Sequence, residues 1–496
     1  MEITIEVKTP PSSVVLVLPG AWRRWHIWIV QALLNESNVA SIVARPSRQD
    51  TATERQNLLF GSPGWATVRP ATIERELAAY GERFALDGGD SEPAAEHWTF
   101  SLGLAGGRQP LFTEIAQGRH SFTASLRSAG QDGPAALQAA RFKVHYSYGR
   151  TLDGALREMS GWPAKVVRLR GAGLKVQASF DPGTASSSVP RTSPPLLYAV
   201  RSAWNLLHTL FVYFFIEARW NVAVAEGQLT FPFRTSELRW LPADSSAFIA
   251  DPIAVSVDGC RAVFCELFPY KSRKGSIAVI SVDDETRKPT TVIEQPRHLS
   301  YPFIVQDGTE TYCIPEDSQS RRVTLYRAKR FPFEWEEAGV LLEDVPAVDP
   351  TIFYDGERWW LFATRADREP NLNLFAWHAP TLQGPWSAHL ANPIKTDISG
   401  ARPAGKLFRI AGDVYRPAQD CARSYGHAVT VHRIVELSPS SFFEERVARL
   451  TPIAPYSNGI HTLSSAQDFF AVDGRRDYID LRKPWRVWRE RRLRRP

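Results

Sequence analysis

The sequence predicts a multidomain protein, with an α/β domain over residues 1–170 and a five-bladed β-propeller over 219–475. Three observations predict it. A hairpin phrase recurs five times at near-constant spacing, a strand–helix–strand run lies near the N-terminus, and a Ser/Pro-rich stretch separates the two. At 496 residues, 44% hydrophobic with 16 Trp and 26 Phe, the chain has length and apolar content for more than one core.

At the N-terminus, VVLVLP (14–19) reads as a buried strand, WRRWHIWIVQALL as a helix and VASIVAR as a second strand. Strand, helix and strand within about 30 residues make a βαβ unit and imply a parallel, Rossmann-like sheet. The intervening turn holds Gly20 but no GxGxxG, so no dinucleotide site is expected. Residues 72–85 and 151–159 read as helices, and 98–103 and 141–147 as strands. The stretch 171–218 contains the linker TASSSVPRTSPP and an apolar helix. Its longest unbroken apolar run, LFVYFFI, falls short of the roughly 20 residues that span a bilayer, so a packed helix is expected.

The propeller rests on one phrase. Asp349-Pro350 opens a strand, Asp355-Gly356 turns it, and a Trp-rich strand returns to Thr364. Asp251-Pro252 leads likewise through Asp258-Gly259 to Glu266, and Tyr301-Pro302 through Asp307-Gly308 to Glu316. Asp-Gly supplies the positive φ angles of a tight hairpin turn. Looser copies open at Arg402-Pro403 and at His461, ending at Asp420 and Asp473. The openings lie 50, 48, 53 and 59 residues apart, a spacing that indicates four-stranded blades. GSIAVI, VTLYRA, LNLFAW and HAVTVHRI supply third strands. Trp335–Leu342 and Trp386–Ile394 supply outer fourth strands, and Trp220–Val224 a strand that leads into or closes the ring.

Charge is local. Residues 475–496 carry ten Arg/Lys against three acids, a net +7, whereas the other 474 residues sum to −1. With no basic stripe along the body, no nucleic-acid partner is expected. The tail 476–496 interleaves Trp485 and Trp488 with arginines, a pattern that suits an anionic membrane surface as well as a solvated tail. Cys260, Cys265, Cys313 and Cys421 show no metal-ligand spacing and read as buried thiols, so neither metal nor cofactor is expected. MEITIEVKTPPSS lacks a basic and an apolar signal region, which points to a cytoplasmic protein, peripheral at most on the inner membrane face.

In a propeller, each first strand starts, and each second strand ends, at one mouth of the channel. The expected site therefore gathers Asp251, Asp349, Glu266 and Glu316 as catalytic candidates. His298, Tyr301, Arg402, Gln419, Asp420 and His461 are candidates for substrate binding. Clustered carboxylates separate their pKa values, one ionised as base or nucleophile and one protonated as acid, the division glycosyl chemistry needs. Taken singly, each has a plain structural role: Asp before Pro is often a turn residue, Glu at a strand end a solvated rim, and Arg402 a partner for Asp420.

HLSYPFIVQDGTETYCIPED, DPTIFYDGERWWLFAT, GPWSAHLANPI, ARPAG and YRPAQDCARSYGHAV together resemble the propeller region of glucosamine inositolphosphorylceramide transferases, over roughly Trp220 to Asp473. The plan is also similar to furanosidase-type glycoside hydrolases, which place acids at blade openings. AWRRWHIWIVQAL and HWTFSLG resemble a degenerate formyltransferase-like domain of bacterial relatives. The resemblance implies a carbohydrate-active enzyme, a glycosyltransferase of polysaccharide or glycolipid assembly. Its partners would be a sugar donor or oligosaccharide and a lipid-linked acceptor. A five-bladed hydrolase and a non-catalytic glycan-binding module are the alternatives.

Overall fold

The computed structural model describes residues 4–7, 12–18, 23–37, 39–46, 76–77, 84–86, 97–103, 111–130, 133–145, 147–180, 195–233, 235–284, 288–486 and 488. Two compact units divide the chain, Met1–Leu210 and Phe211–Pro496.

In the first unit, β1 (Thr4–Val7) and β2 (Ser12–Leu18) precede α1 (Arg24–Leu34) and β3 (Val39–Pro46), with β4 (Phe84–Leu86) at the far edge. β2 and β3 pair in parallel across α1, as the strand–helix–strand spacing predicts. β5 (His97–Leu102), α2 (Phe112–Ala116), β6 (Ser121–Gly130) and β7 (Gly133–Lys143) follow, the three strands pairing antiparallel. α3 (Tyr148–Met159) and α4 (Trp162–Gly171) close the unit's core, and α5 (Pro195–Phe215) leaves it. The described strands thus form one mixed sheet, antiparallel at β1, and one antiparallel meander. A Rossmann-like or formyltransferase-like domain is not shown by the described strands, although β2, β3 and β4 pair in parallel. The expected helix over 72–85 is helical only at 76–77 among the described residues, and its end is strand β4. Most of the linker TASSSVPRTSPP lies outside the described residues.

The second unit is a propeller-like set of antiparallel sheets. β8 (Ile216–Glu226) and β9 (Arg239–Trp240) come first. The first repeat is β10 (Ala247–Val257), β11 (Cys260–Pro269), β12 (Ser276–Ser281) and β13 (Thr290–Ile293). The second is β14 (Ser300–Asp307), β15 (Glu310–Glu316), β16 (Val323–Arg330) and β17 (Glu334–Leu342). In the third, β18 (Ala347–Tyr354), β19 (Trp359–Arg365) and β20 (Asn373–Ala379) are full strands, but β21 (Ser387–Ala388) and β22 (Lys395–Asp397) are short. The fourth is β23 (Phe408–Ile410), β24 (Asp413–Asp420), β25 (Ala428–Leu437) and β26 (Phe442–Leu450). Last come β27 (Leu463–Ser465) and β28 (Phe469–Ile479), which pair with β8 and β9. The two ends of the unit therefore share one sheet, and Trp220–Val224 lies within the closing strand β8.

Four four-stranded blades result, not five. The expected fourth strand over Trp386–Ile394 shrinks to Ser387–Ala388 because Pro385 and Pro393, which have no N–H to give to a ladder, bracket it. The first hairpin turns as predicted, with positive φ at both Asp258 (49°) and Gly259 (78°). The third uses four residues instead, Asp355 Oδ1 accepting from the amides of Glu357 (2.8 Å) and Arg358 (2.9 Å). Between blades the cores are apolar and aromatic. Buried Phe264 packs against Phe331 and Trp335 (ring centroids 5.9 and 5.6 Å), and Phe264→Ala would cost about 3–5 kcal/mol.

Candidate active site

The site begins with a backbone feature. In β10, β14 and β18 the pairing register breaks between Ala250 and Ile253, Ser300 and Phe303, and Val348 and Thr351. Each break encloses an opening residue and its proline, which cannot donate to the ladder. Asp251, Tyr301 and Asp349 there adopt left-handed φ of 53°, 44° and 51°. Each such non-glycine conformation costs roughly 1–2 kcal/mol, and bulges of this kind redirect side chains. The three costs recur at one register position, so the strain belongs to the repeat.

The bulges free amides, and carboxylates of neighbouring sheets accept them. Asp473 Oδ2 accepts from Asp251 N (3.3 Å), Asp251 Oδ2 from Tyr301 N (3.3 Å) and Glu316 Oε2 from Asp349 N (3.1 Å). The carboxylates thus join the sheets as well as forming a cluster. Asp349 is the most heavily held. Arg402 donates to it through Nε (2.6 Å) and Nη2 (3.4 Å), and Gln419 Nε2 through a third bond (2.9 Å). Arg402 also reaches Asn371 Oδ1 (3.1 Å) and lies 4.9 Å from the centre of the Tyr425 ring.

On the other side, His461 Nδ1 lies 2.5 Å from Asp473 Oδ2 and 3.6 Å from Asp251 Oδ1, and its ring stacks on Trp220 at 3.8 Å. Asp251, His461 and Asp473 each present a ligand-type atom, all within 4.8 Å of one another. The 2.5 Å contact is a hydrogen-bonded ion pair that leaves no space for an ion between those two atoms, so no metal is assigned. His298 accepts from Gly275 N through Nδ1 (2.9 Å), which turns Nε2 towards Glu266 Oε1 (3.5 Å).

Crowding and burial push the acids up. Burial raises Asp251 to about 6, with His461 opposing the shift and Asp349 adding to it. Glu316 is pushed up to about 8 by burial and the charge of Asp349, against Arg402. Glu266 moves well above the carboxylate range through burial, Asp251 and Glu316. Burial works against the charge of His461, but Asp473 and Asp251 outweigh it and raise its pKa. Burial lowers His298. The mouth therefore holds proton-bearing carboxyls beside an arginine-clamped carboxylate, the arrangement acid–base chemistry needs.

Most predicted residues meet here, with differences in role. Tyr301 is fully buried, its hydroxyl accepting from Gly405 N (2.7 Å) and bonded to Thr351 (2.9 Å), so its ring offers no face to a sugar. Arg402 pairs with Asp349 and not with Asp420. Asp420 turns to the opposite side of β24 from Gln419, as strand alternation requires, and is held by Arg449 (3.0 Å). Asp473, Thr462, Trp220, Tyr425 and Asn371 also belong to the cluster and were not among the predicted site residues. Asp473 was visible as the end of the fifth phrase. A cavity of about 700 Å³ lies elsewhere, at the far ends of the same first strands beside Ser256, Gln306, Tyr354 and Lys406.

Residues 220–455 match the family model described as glucosamine inositolphosphorylceramide transferase 1, N-terminal. The transferase 1 of Oryza sativa subsp. japonica is 37% identical over 208 residues, 40% of this chain and 28% of that protein. The Arabidopsis thaliana protein of the same name is 32% identical over 211 residues, 41% of this chain and 27% of that protein. Residues 220–455 are of this transferase N-terminal kind. The chain spans under a third of the length of these relatives. Within the transferase-like stretch lie Trp220, Asp251, Glu266, Glu316, Asp349 and Arg402, whereas His461 and Asp473 follow it. Among solved structures, the GH43_1 enzyme from Xanthomonas citri complexed with xylose aligns at TM-score 0.35 with 12% identity, covering 48% of this chain and 88% of that one. A family 117 glycoside hydrolase from Zobellia galactanivorans aligns at 0.33 with 14% identity, covering 51% and 90%.

Proposed function

We propose that the propeller mouth is the site of a carbohydrate-active enzyme that transfers a glycosyl group. One observation carries the reading: Asp349, clamped by Arg402 and Gln419, hydrogen-bonds through its amide to Glu316, whose pKa is pushed up to about 8. Asp349 supplies the base or nucleophile. Glu316 keeps its proton near neutral pH and supplies the acid, with Asp251 and Glu266 holding the local field. Arg402, largely buried but beside the exposed Tyr425 ring, binds the anionic or hydroxyl-rich part of the donor. Similarity to the named transferases supports a sugar donor and a lipid-linked acceptor as the substrate class, in assembly of a glycolipid or surface polysaccharide.

Hydrolysis is the second reading, favoured by the acid and clamped carboxylate, which need no nucleotide donor. Incubation with oligosaccharides alone and with nucleotide-sugar donors plus lipid acceptors separates them: free sugar without donor supports hydrolysis, donor-dependent product supports transfer. Unchanged biological complementation and glycan binding by Asp349→Asn, with no turnover in either assay, would make the mouth a binding module.

A further inference from the structure

Helix α5 is built inside out. A helix packed on a soluble core buries its apolar stripe and exposes its polar one. In α5 the inward residues are Tyr198, Arg201, Ser202 and Asn205, spaced three or four apart, three of them polar. Outward stand Leu207 and Trp204, each 62% exposed, with Leu210 and Phe211. The exposed apolar surface continues past the end of the helix. Asp480 N donates to Phe215 O (2.7 Å) and Lys483 Nζ donates to Ile216 O, so the turn after β28 lies against the α5–β8 junction. That turn adds Leu481, 79% exposed, and Trp485 and Trp488, both more than half exposed.

An apolar surface of this extent requires a cover. Charge selects which. The chain from Arg475 onwards carries a net +7, and a second copy of the same surface would bring two such charges together. An anionic lipid surface accepts both features, burying leucines, phenylalanine and tryptophans at headgroup depth while phosphates neutralise the arginines. No helix among the described residues is long and apolar enough to cross a membrane; an exposed apolar face flanked by basic residues suits a contact in the plane of the interface. We propose that the exposed C-terminal end of α5, from Phe211, together with the adjoining Leu481, Trp485 and Trp488, seats this protein on an anionic bilayer surface. The inference stands apart from the chemistry at the propeller mouth.

The test is flotation of the purified full chain with vesicles of phosphatidylcholine alone or with about 30% phosphatidylglycerol, at about 0.05 M and about 0.5 M salt. Binding is expected on the anionic vesicles, falling at high salt. The double variant Phe211→Glu/Leu481→Glu weakens it at least about tenfold, and Trp485→Ser/Trp488→Ser weakens it several-fold. Both keep the wild-type melting temperature, since the altered side chains face outward. The idea is overturned by no flotation on either vesicle, or by undiminished binding of a folded Phe211→Glu/Leu481→Glu variant. It is equally overturned by a dimer in light scattering that the double variant dissolves, which would make a second copy the cover.

Discussion

Two clusters of charge lie inside the second unit, and they are balanced in opposite ways. At the mouth, Asp251, Glu266, Glu316, Asp349 and Asp473 face Arg402 and His461. Between β22, β24 and β26, one carboxylate, Glu444, takes Lys395 Nζ (2.7 Å) and Arg416 through Nη2 (2.6 Å) and Nε (2.9 Å), with all three side chains essentially inaccessible. Arg416 spends its remaining donors on the carbonyls of Ala401 (3.3 Å) and Gly400 (2.5 Å). Burial disfavours the charge of Glu444, but Arg416 and Lys395 outweigh it and hold its pKa far below the carboxylate range. At the mouth the same burial goes uncompensated and pKa values rise. Burial alone therefore does not mark a site. An acid excess with raised pKa, on strained bulges, distinguishes the mouth from a cluster that only holds β22, β24 and β26 together.

The contrast is broken most severely by exchanging the expected consequences. Asp349→Asn should lower turnover about 10⁴-fold, ~5 kcal/mol, with the thermal transition nearly unmoved, since the amide keeps a hydrogen bond to Gln419 or Arg402. Turnover within about twofold of wild type would remove Asp349 from the chemistry. Glu444→Ala should do the reverse. It strands Arg416 without a counter-charge, leaves Lys395 only Asp397 at 3.5 Å, and costs about 3–5 kcal/mol of stability, read by denaturant unfolding, while activity per folded molecule stays near normal. A mild loss of stability would show that the second cluster is not the buried ion pair described. The Glu444 contribution is present above the ordinary value of 4.5 and is lost only as pH falls towards its far lower folded value.

Arg402→Lys sharpens the comparison at smaller amplitude. The guanidinium reaches Asp349 with two nitrogens and Asn371 with the third, a fork that an ammonium cannot reproduce. Turnover should fall about 10–100-fold while the charge, and so the folded state, is largely retained.

How much of this was legible follows from the kind of information each part needs. The repeat Asp-Pro to Asp-Gly fixes where strands start and turn, so β10, β14 and β18 and the convergence of Asp251, Asp349 and Arg402 could be read from spacing. The left-handed bulges could not, because Asp before Pro is equally common in ordinary turns. The third blade failed at Pro385 and Pro393, where aromatic residues suggested a strand that the prolines forbid. Arg402 had Asp420 as its nearer partner in sequence, but strand alternation turns Asp420 away and leaves Asp349, 53 residues distant, within reach. The second cluster gave no signal as a cluster: Arg416 stands within YRPAQDCARSYGHAV, but Lys395 and Glu444 belong to no phrase, and only three-dimensional packing unites the three.

On stability, Glu316→Gln yields the most diagnostic effect, because it separates the clusters by pH. An acid whose folded-state pKa lies above its unfolded value holds its proton more tightly in the folded chain. For Glu316, at about 8 when folded against an ordinary 4.5, stability is therefore lost as pH rises through that window. Glutamine removes the charge and keeps an oxygen able to accept from the Asp349 amide. The variant should match wild type below about pH 4.5 and become progressively more stable than wild type as pH rises to 8–9, where the wild-type carboxylate has ionised among its neighbours. Denaturant unfolding of both proteins across that range measures the difference directly. A stability difference that is flat with pH, or one that favours wild type at alkaline pH, would mean that Glu316 is ionised at neutral pH and that the acid of the mouth is Glu266 or Asp251 instead.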